Sequence, residues 1–532
     1  IGQVFAVVGS GNFEVTNALI AAGVPCVTAR HEGGAATMAD AFSRMSDLPA
    51  VITTHQGCGL TNAITGIAEA AKSRTPMIVL TADVASASVR SNFKIDQDAL
   101  ARSVGAVAER VHSAQSAVAD TVRAYKTAVY ERRTVVISLP LDVQATQVVD
   151  VPAPLGPFPA ATRTRPSVES VTALVEAIRS AERPVFVAGR GGRGAGPELL
   201  ALAAASGALV ATSAVANGLF VGEEFNLGIS GGFSSPLAAS LIRDADLIVG
   251  WGCALNMWTM RHGHLIGAEA TVVQVDVENE ALGANRPIDL GILGDSALTA
   301  VDVLAALEAS PRSGTGYRTP EVAERIASGI RWNSETFDDL STDTTIDPRL
   351  LSRELDTLLP TNKILSIDSG NFMGYPSTYL SVPDERGFCF TQAFQSIGLG
   401  LATSIGAALA QPDRLPVLGV GDGGFMMGIS ELDTAVRLKL PLVVIVYNDS
   451  AYGAEVHHFD STADQQTITF PDTDIASIAR GYGAAAITVR STDDLAAVTD
   501  WLASSPTAPL VIDAKVASDG GSWWLQEAFK GH

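Results

Sequence analysis

Two short runs of this chain carry residues that could do chemistry. "VLGVGDGGFMMG" sets Asp422 between glycines at the end of an apolar run, and "PLVVIVYNDSAYG" ends a second apolar run on Asn448 and Asp449. An apolar run that stops at Gly-Asp-Gly reads as a parallel strand delivering a carboxylate to a ligand beyond the sheet. Gly423 and Gly424 lack a Cβ, so backbone N–H groups can approach a phosphate closely, and the residues that follow can start a helix with its positive end toward that anion. A diphosphate suits such a place. Asp422 would repel it unless a divalent cation lay between them, and Mg2+ takes hard oxygen ligands of this kind. Asp449 offers a second oxygen. Taken alone, Gly-Asp-Gly reads equally well as a turn. The stretch between the two runs has room for one helix and one strand, which would return Asp449 beside Asp422.

Short β-branched runs alternate with Ala/Leu-rich helical stretches along almost the whole chain, the pattern of parallel α/β units. A first group, "VFAVVG", "AVITTH", "PMIVLT" and "TVVISLP", ends at the Pro-rich "VPAPLGPFPAATRTRP". A second, "PVFVAG", "ALVATS", "DLIVGWG" and "TVVQVDV", ends near "ASPRSGTGYRTP", and a third holds "KILSID", "LPVLGVGD", "PLVVIVYND" and "PLVIDAKV". The expected architecture is α/β, with three tandem doubly wound parallel-sheet domains over residues 1–155, 165–312 and 340–532. A length of 532 residues suits about three domains. With 36 Lys and Arg against 57 Asp and Glu, the net charge of −21 repels phosphate backbones and anionic membranes, so neither nucleic acid nor a membrane is an expected partner. The four cysteines lie far apart, without the spacing of a zinc site or the density of a disulfide scaffold, which fits a reducing cytoplasm.

Gly-Asp-Gly, a spacer and then Asn-Asp resembles the motif of the thiamine diphosphate (ThDP) enzymes, in the branch that contains acetohydroxyacid synthases, benzoylformate decarboxylase and benzaldehyde lyase. The resemblance implies ThDP and Mg2+ as cofactors, with the metal held by Asp422, Asp449 and the backbone carbonyl of Ala451. Asp449 departs from the family's Asn but keeps an oxygen. In the first unit, "TARHEGGAATMADAFSR" resembles the segment with the family's indispensable glutamate, here Glu32, and "THQGCGLTNAITGIAEA" its glycine-bearing loop and helix. Glu32 would hydrogen-bond the cofactor's pyrimidine ring and favour the tautomer that activates the thiazolium carbon; its plain alternative is a first-turn helix carboxylate. Ile397, by its register before the metal aspartate, corresponds to the bulky residue that bends the cofactor, or else is a core isoleucine. Asn371 and Phe372 in "DSGNFMG" align with a loop on the diphosphate side.

His55 stands where benzoylformate decarboxylase has an active-site histidine, and two readings hold for it: a proton relay, or a structural strand-end histidine. The synthases' Phe-Gln-Glu is replaced by Lys94-Ile95-Asp96, so their substrate is not expected here. Ala454 and His458 fall at the synthases' specificity positions, which implies a roomier and more polar pocket. Neighbouring His457 and His458 point to different sides of a helix, so a metal site there is not expected, although one of them could line the pocket. The FAD-holding segment of the synthases is replaced by Ala254-Leu255-Asn256, so no FAD is expected. "GGSWWLQEAFKGH" at the end is either a lid or a packed tail.

The implied function is decarboxylation or carboligation of a 2-oxo acid, with an aldehyde or a second 2-oxo acid as possible acceptor. Because Glu32 and Asp422 lie on different units, the resemblance implies a homodimer or homotetramer with the cofactor between subunits. The alternatives are an acetolactate synthase-like carboligase, a non-catalytic ThDP-fold subunit, and a nicotinamide-dependent oxidoreductase using the glycines of "VAGRGGRGAG".

Overall fold

The computed structural model describes residues 1–148, 158–309, 314–459, 462, 464–518 and 520–525. The expected domain bounds near 155 and 312 and the end of the tail lie outside them. Among the described residues three six-stranded sheets follow one another along the chain, and every strand pairing is parallel. The first holds β1 (Gln3–Ala6), β2 (Cys26–Thr28), β3 (Ala50–Thr54), β4 (Met77–Asp83), β5 (Val107–Arg110) and β6 (Thr134–Pro140), in the order β2-β1-β3-β4-β6-β5. The second holds β7 (Pro184–Ala188), β8 (Leu209–Thr212), β9 (Asn226–Ile229), β10 (Leu247–Trp251), β11 (Thr271–Asp276) and β12 (Leu290–Leu293), in the order β12-β11-β10-β7-β8-β9. The third holds β13 (Lys363–Ile367), β14 (Phe388–Phe390), β15 (Leu415–Gly421), β16 (Val443–Asn448), β17 (Ala485–Val489) and β18 (Leu510–Lys515), in the order β14-β13-β15-β16-β18-β17.

The first and third sheets therefore share one topology, while the middle sheet has the doubly wound order of dinucleotide-binding folds. The runs that read as strands from sequence are the four inner strands of each sheet. The edge strands β2, β5, β9, β12, β14 and β17 are short or half-exposed, and so lack a long apolar run.

One hydrophobic core joins the first and third domains, with Phe5, Ala36 and Met38 in the same cluster as Leu401, Ile405 and Val420. Its centre is the crossing of helix Glu32–Ser46 over helix Gly400–Ala410, both rich in Ala and Gly. Small residues allow a close approach: a β-carbon at Gly406 would lie 2.2 Å from the carbonyl oxygen of Met38. Arg44, on the first of these helices, donates to Asp40 Oδ1 at 2.9 Å and Glu69 Oε1 at 2.7 Å within its own domain, and to the carbonyl of Phe390 in the third domain at 2.9 Å. The central domain leans on both, with Arg190 donating to the Ser73 carbonyl and Arg193 to the Glu385 carbonyl at 2.7 Å. Its strand-end glycines are used by close backbone approach: Gly189 donates to Trp251 O at 2.9 Å and Gly191 to Gly252 O at 3.0 Å. Among the described residues no helix is long and apolar enough to cross a membrane.

The Met38–Gly406 contact gives a direct test of this packing. Gly406→Ala should destabilise the protein by roughly 1–3 kcal/mol, because backbone must move to admit the methyl group. Thermal unfolding reads this as a lowered midpoint; an unchanged midpoint would show that the helices separate without cost.

Candidate active site

β15 and β16 are neighbours, with Gly421 opposite Tyr447, so the residues just past them emerge side by side at the carboxyl edge of the third sheet. Asp422 opens helix Asp422–Gly428, and Asp449 follows Asn448. Both carboxyls are pushed above the usual carboxylate range, chiefly by burial and, for Asp449, also by the charge of Asp422 facing it. Two buried acids that repel one another are suited to share a cation. Among the described residues no three His, Cys, Asp or Glu side chains converge on a ready-made metal site, so further oxygens would have to come from backbone or from a bound phosphate. Ser450, in the left-handed region at φ 57°, turns the chain between Asp449 and Ala451.

Asp422 and Asp449 line one cleft together with Asn371, Phe372, Ile397, Gly423, Gly424, Ala451 and Ala454. The glycines are needed there: a β-carbon at Gly423 would lie 2.6 Å from the Tyr452 ring, at Gly424 2.4 Å from Asp368 Oδ2, and at Gly453 2.3 Å from Asp449 Oδ2. Asp368, buried and pushed up to about 6 by that burial, accepts from the N–H groups of Ser369 and Gly398 and so fixes the loop around Ile397. Phe372 is buried and stacks on Tyr447, with ring centres 5.5 Å apart. Asn371 turns its side-chain oxygen to Ser522, accepting from Oγ at 2.6 Å, and its backbone carbonyl accepts from Trp524 Nε1 at 3.1 Å. The described part of the tail is thus packed down: Trp524 is buried, and Trp523 stacks on Trp332 beneath Arg261.

His458 does not line the cleft. It ends the short helix Gly453–His458 as an exposed residue, while His457 on the adjoining helical position faces the cleft with Glu455. Consecutive helical residues point about 100° apart, so a one-position difference moves a side chain off the wall. Sequence reasoning also missed Tyr452, Met427 and Glu455, whose only local sign was a place in or beside the two motif runs, and Ser369, two positions before Asn371.

Glu32 and His55 form a second cluster, on the first domain. Glu32 begins its helix after the His31 cap, and its Oε2 accepts from Asn62 Nδ2 at 3.0 Å. A β-carbon at Gly59 would lie 3.5 Å from Glu32 Oε1 and 3.2 Å from His55 Cβ, so this glycine leaves open the space that the two residues flank. His55 Nδ1 lies 3.0 Å from the carbonyl of Gln56, which can only accept; the proton is therefore on Nδ1, and Nε2 is left facing Ser10 Oγ at 3.4 Å. The ring packs edge-on against Phe93. Among the described residues none from the first domain lines the cleft of Asp422 and Asp449, and the Glu32 and His55 cluster lies apart from it.

Residues 1–104, 171–307 and 368–514 match, in that order, the N-terminal TPP binding domain, the central domain and the C-terminal TPP binding domain of the thiamine pyrophosphate enzymes. Similar proteins include a sulfoacetaldehyde acetyltransferase of Rhodobacter capsulatus, 28% identical over 99% of this chain and 94% of its own. A probable 2-ketoarginine decarboxylase, AruI, of Pseudomonas aeruginosa is 29% identical over 93% of this chain and 87% of its own. The chloroplastic acetolactate synthase 1 of Nicotiana tabacum is 23% identical over 97% and 80%. With all three matches in the family's order along the chain, this protein belongs to the thiamine pyrophosphate enzyme family.

Proposed function

We propose that this is a ThDP- and Mg2+-dependent enzyme that cleaves CO2 from a 2-oxo acid and passes the remaining acyl unit either to a proton or to a second carbonyl compound, an aldehyde or another 2-oxo acid. The observation that carries this reading is the buried pair Asp422 and Asp449, set beside Gly423 and Gly424 at adjacent strand ends. The relatives named for a transferase, a decarboxylase and a synthase support the broad chemistry and leave the substrate to the pocket. The replacement of the synthase loop by Lys94-Ile95-Asp96 speaks against a true acetohydroxyacid synthase.

Asp422, Asp449 and the carbonyl of Ala451 would hold Mg2+ against the diphosphate, with N–H groups of the Gly423–Gly424 turn meeting the same anion. The chemistry the cofactor supplies when bound is a carbon nucleophile and an electron sink for loss of CO2. Glu32, its carboxylate fixed by Asn62, would hold the proton shared with the cofactor's pyrimidine ring. His55, with Nδ1 engaged at Gln56, would take or give a proton at Nε2 beside Ser10. Ile397, presented by the loop that Asp368 fixes, would support the cofactor's bend. Because Glu32 and Asp422 sit in separate clusters of one chain, the working unit we propose is a homodimer or a dimer of dimers, with each site built from two copies.

Purified protein supplied with a panel of 2-oxo acids should release CO2 only when both ThDP and Mg2+ are present; absence of ThDP binding by calorimetry would refute the reading. Glu32→Ala should lower turnover by about 100-fold or more while ThDP still binds, since it removes acid–base help and not the diphosphate anchor. Asp422→Ala should abolish Mg2+-dependent binding of ThDP, whereas Asp449→Asn, which keeps an oxygen, should retain it. For the pocket wall, Ala454→Met should cut kcat/KM for large 2-oxo acids by about tenfold more than for small ones, and His458→Trp should not discriminate between them. Equal losses on both substrate sizes for Ala454→Met would remove Ala454 from the specificity wall.

A further inference from the structure

Because the first and third sheets share one strand order, each strand of one domain has a counterpart in the other. The helical segment after the third strand of each sheet carries one buried carboxylate that the site above leaves unassigned: Glu69 on Cys58–Lys72, 0% exposed, and Glu431 on Ser430–Arg437, 2% exposed. Both reach across to the opposite domain. Glu69 accepts from the N–H of Ala393 at 3.0 Å through Oε1 and from that of Phe394 at 2.6 Å through Oε2. Glu431 Oε1 accepts from the N–H of His31 at 3.0 Å and of Arg30 at 3.1 Å. Each therefore grips two consecutive backbone donors in the loop that follows the second strand of the other domain, β14 in one case and β2 in the other.

What lies just beyond each grip is a site residue. His31 immediately precedes Glu32, and Phe394 leads through Gln395 to Ile397. Gln395 stands in the left-handed region at φ 61°, a conformation a non-glycine residue keeps only when its surroundings hold it. The carboxylates are themselves oriented. Arg44 and Ser73 contact Glu69, which is held below the usual carboxylate range: burial opposes its charge, and Arg44 with the two N–H donors outweighs that. Thr434 Oγ1 donates to Glu431 Oε2 at 2.7 Å. Gly34 makes room for the second grip, since a β-carbon there would lie 2.3 Å from Glu431 Oε1.

We propose that Glu69 and Glu431 are a reciprocal pair of positioning residues: the first domain's glutamate sets the loop that presents Ile397, and the third domain's glutamate sets the backbone that presents Glu32. Buried carboxyl oxygens that accept from paired backbone donors make directional bonds, and site geometry within a fraction of an ångström governs both binding and rate. The inference rests on the ThDP reading for its functional half; the structural half stands without it.

Two measurements on Glu69→Gln and Glu431→Gln test it. In cofactor-free protein, amide hydrogen exchange should quicken in residues 391–398 for Glu69→Gln and in residues 28–34 for Glu431→Gln, each variant leaving the other segment as in wild type. With cofactors, Glu69→Gln should weaken ThDP binding about tenfold, while Glu431→Gln should keep ThDP affinity within about twofold and lower kcat about tenfold. Ser73→Ala and Thr434→Val, which disturb the same carboxylates more gently, should shift the same quantities in the same directions if the glutamine variants fold poorly. Unchanged local exchange, or a lowered melting point with wild-type ThDP affinity and kcat, would overturn the proposal. A wild-type protein that binds no ThDP would instead refute the functional reading, and the exchange measurement would still decide whether the clamp exists.

Discussion

Two carboxylates cannot sit buried side by side, both ionised, unless something positive lies with them. The parallel register of β15 with β16 imposes that situation on Asp422 and Asp449, because neighbouring parallel strands end at the same edge. A shared proton or a divalent cation relieves the repulsion. Much of the third domain serves this edge. Glycines keep the cleft open at 423, 424 and 453, Asp368 fixes the loop that carries Ile397, and Lys515 brings a compensating charge toward Asp422.

The first domain repeats the topology of the third but presents different chemistry at its edge. Where the third gathers two buried acids at adjacent strand ends, the first places Glu32 at a helix start and His55 past β3, with Gly59 leaving space between them. The two domains share a hydrophobic core through helices rich in small residues, and they exchange carboxylate grips on each other's loops. The central domain, with its own strand order, packs against both through Arg190 and Arg193.

How much of this was legible in the sequence follows from burial. Every inner strand reads as an apolar run because both faces are covered, as in "PLVVIVYND" for β16, all of whose residues are buried. The edge strands do not: β5 is half-exposed throughout and β14 has three residues, too few for a pattern. Asp422 and Asp449 were legible because glycines and strand ends mark them locally. Glu32 was not, since a glutamate at a helix start is ordinary, and only resemblance to a family singled it out. The exchange of His458 for His457 reflects a helix of six residues whose rotation no periodic pattern could fix. Glu69 and Glu431 were invisible because their partners are backbone groups hundreds of positions away, and backbone donors leave no mark in a sequence.

The central claim is that the proposed site is assembled from the first domain of one copy and the third domain of another. Subunit complementation tests it most directly: Glu32→Ala and Asp422→Ala chains, each inactive alone, are co-expressed or co-refolded in equal amounts and assayed for ThDP-dependent CO2 release. A shared site gives each mixed dimer one intact Glu32–Asp422 pairing, so activity should return to about one quarter of the wild-type level, from half the dimers being mixed and one site in two being whole. If the mixture stays as inactive as its parents while mixed dimers are shown to form, each site lies within a single chain and the account is wrong.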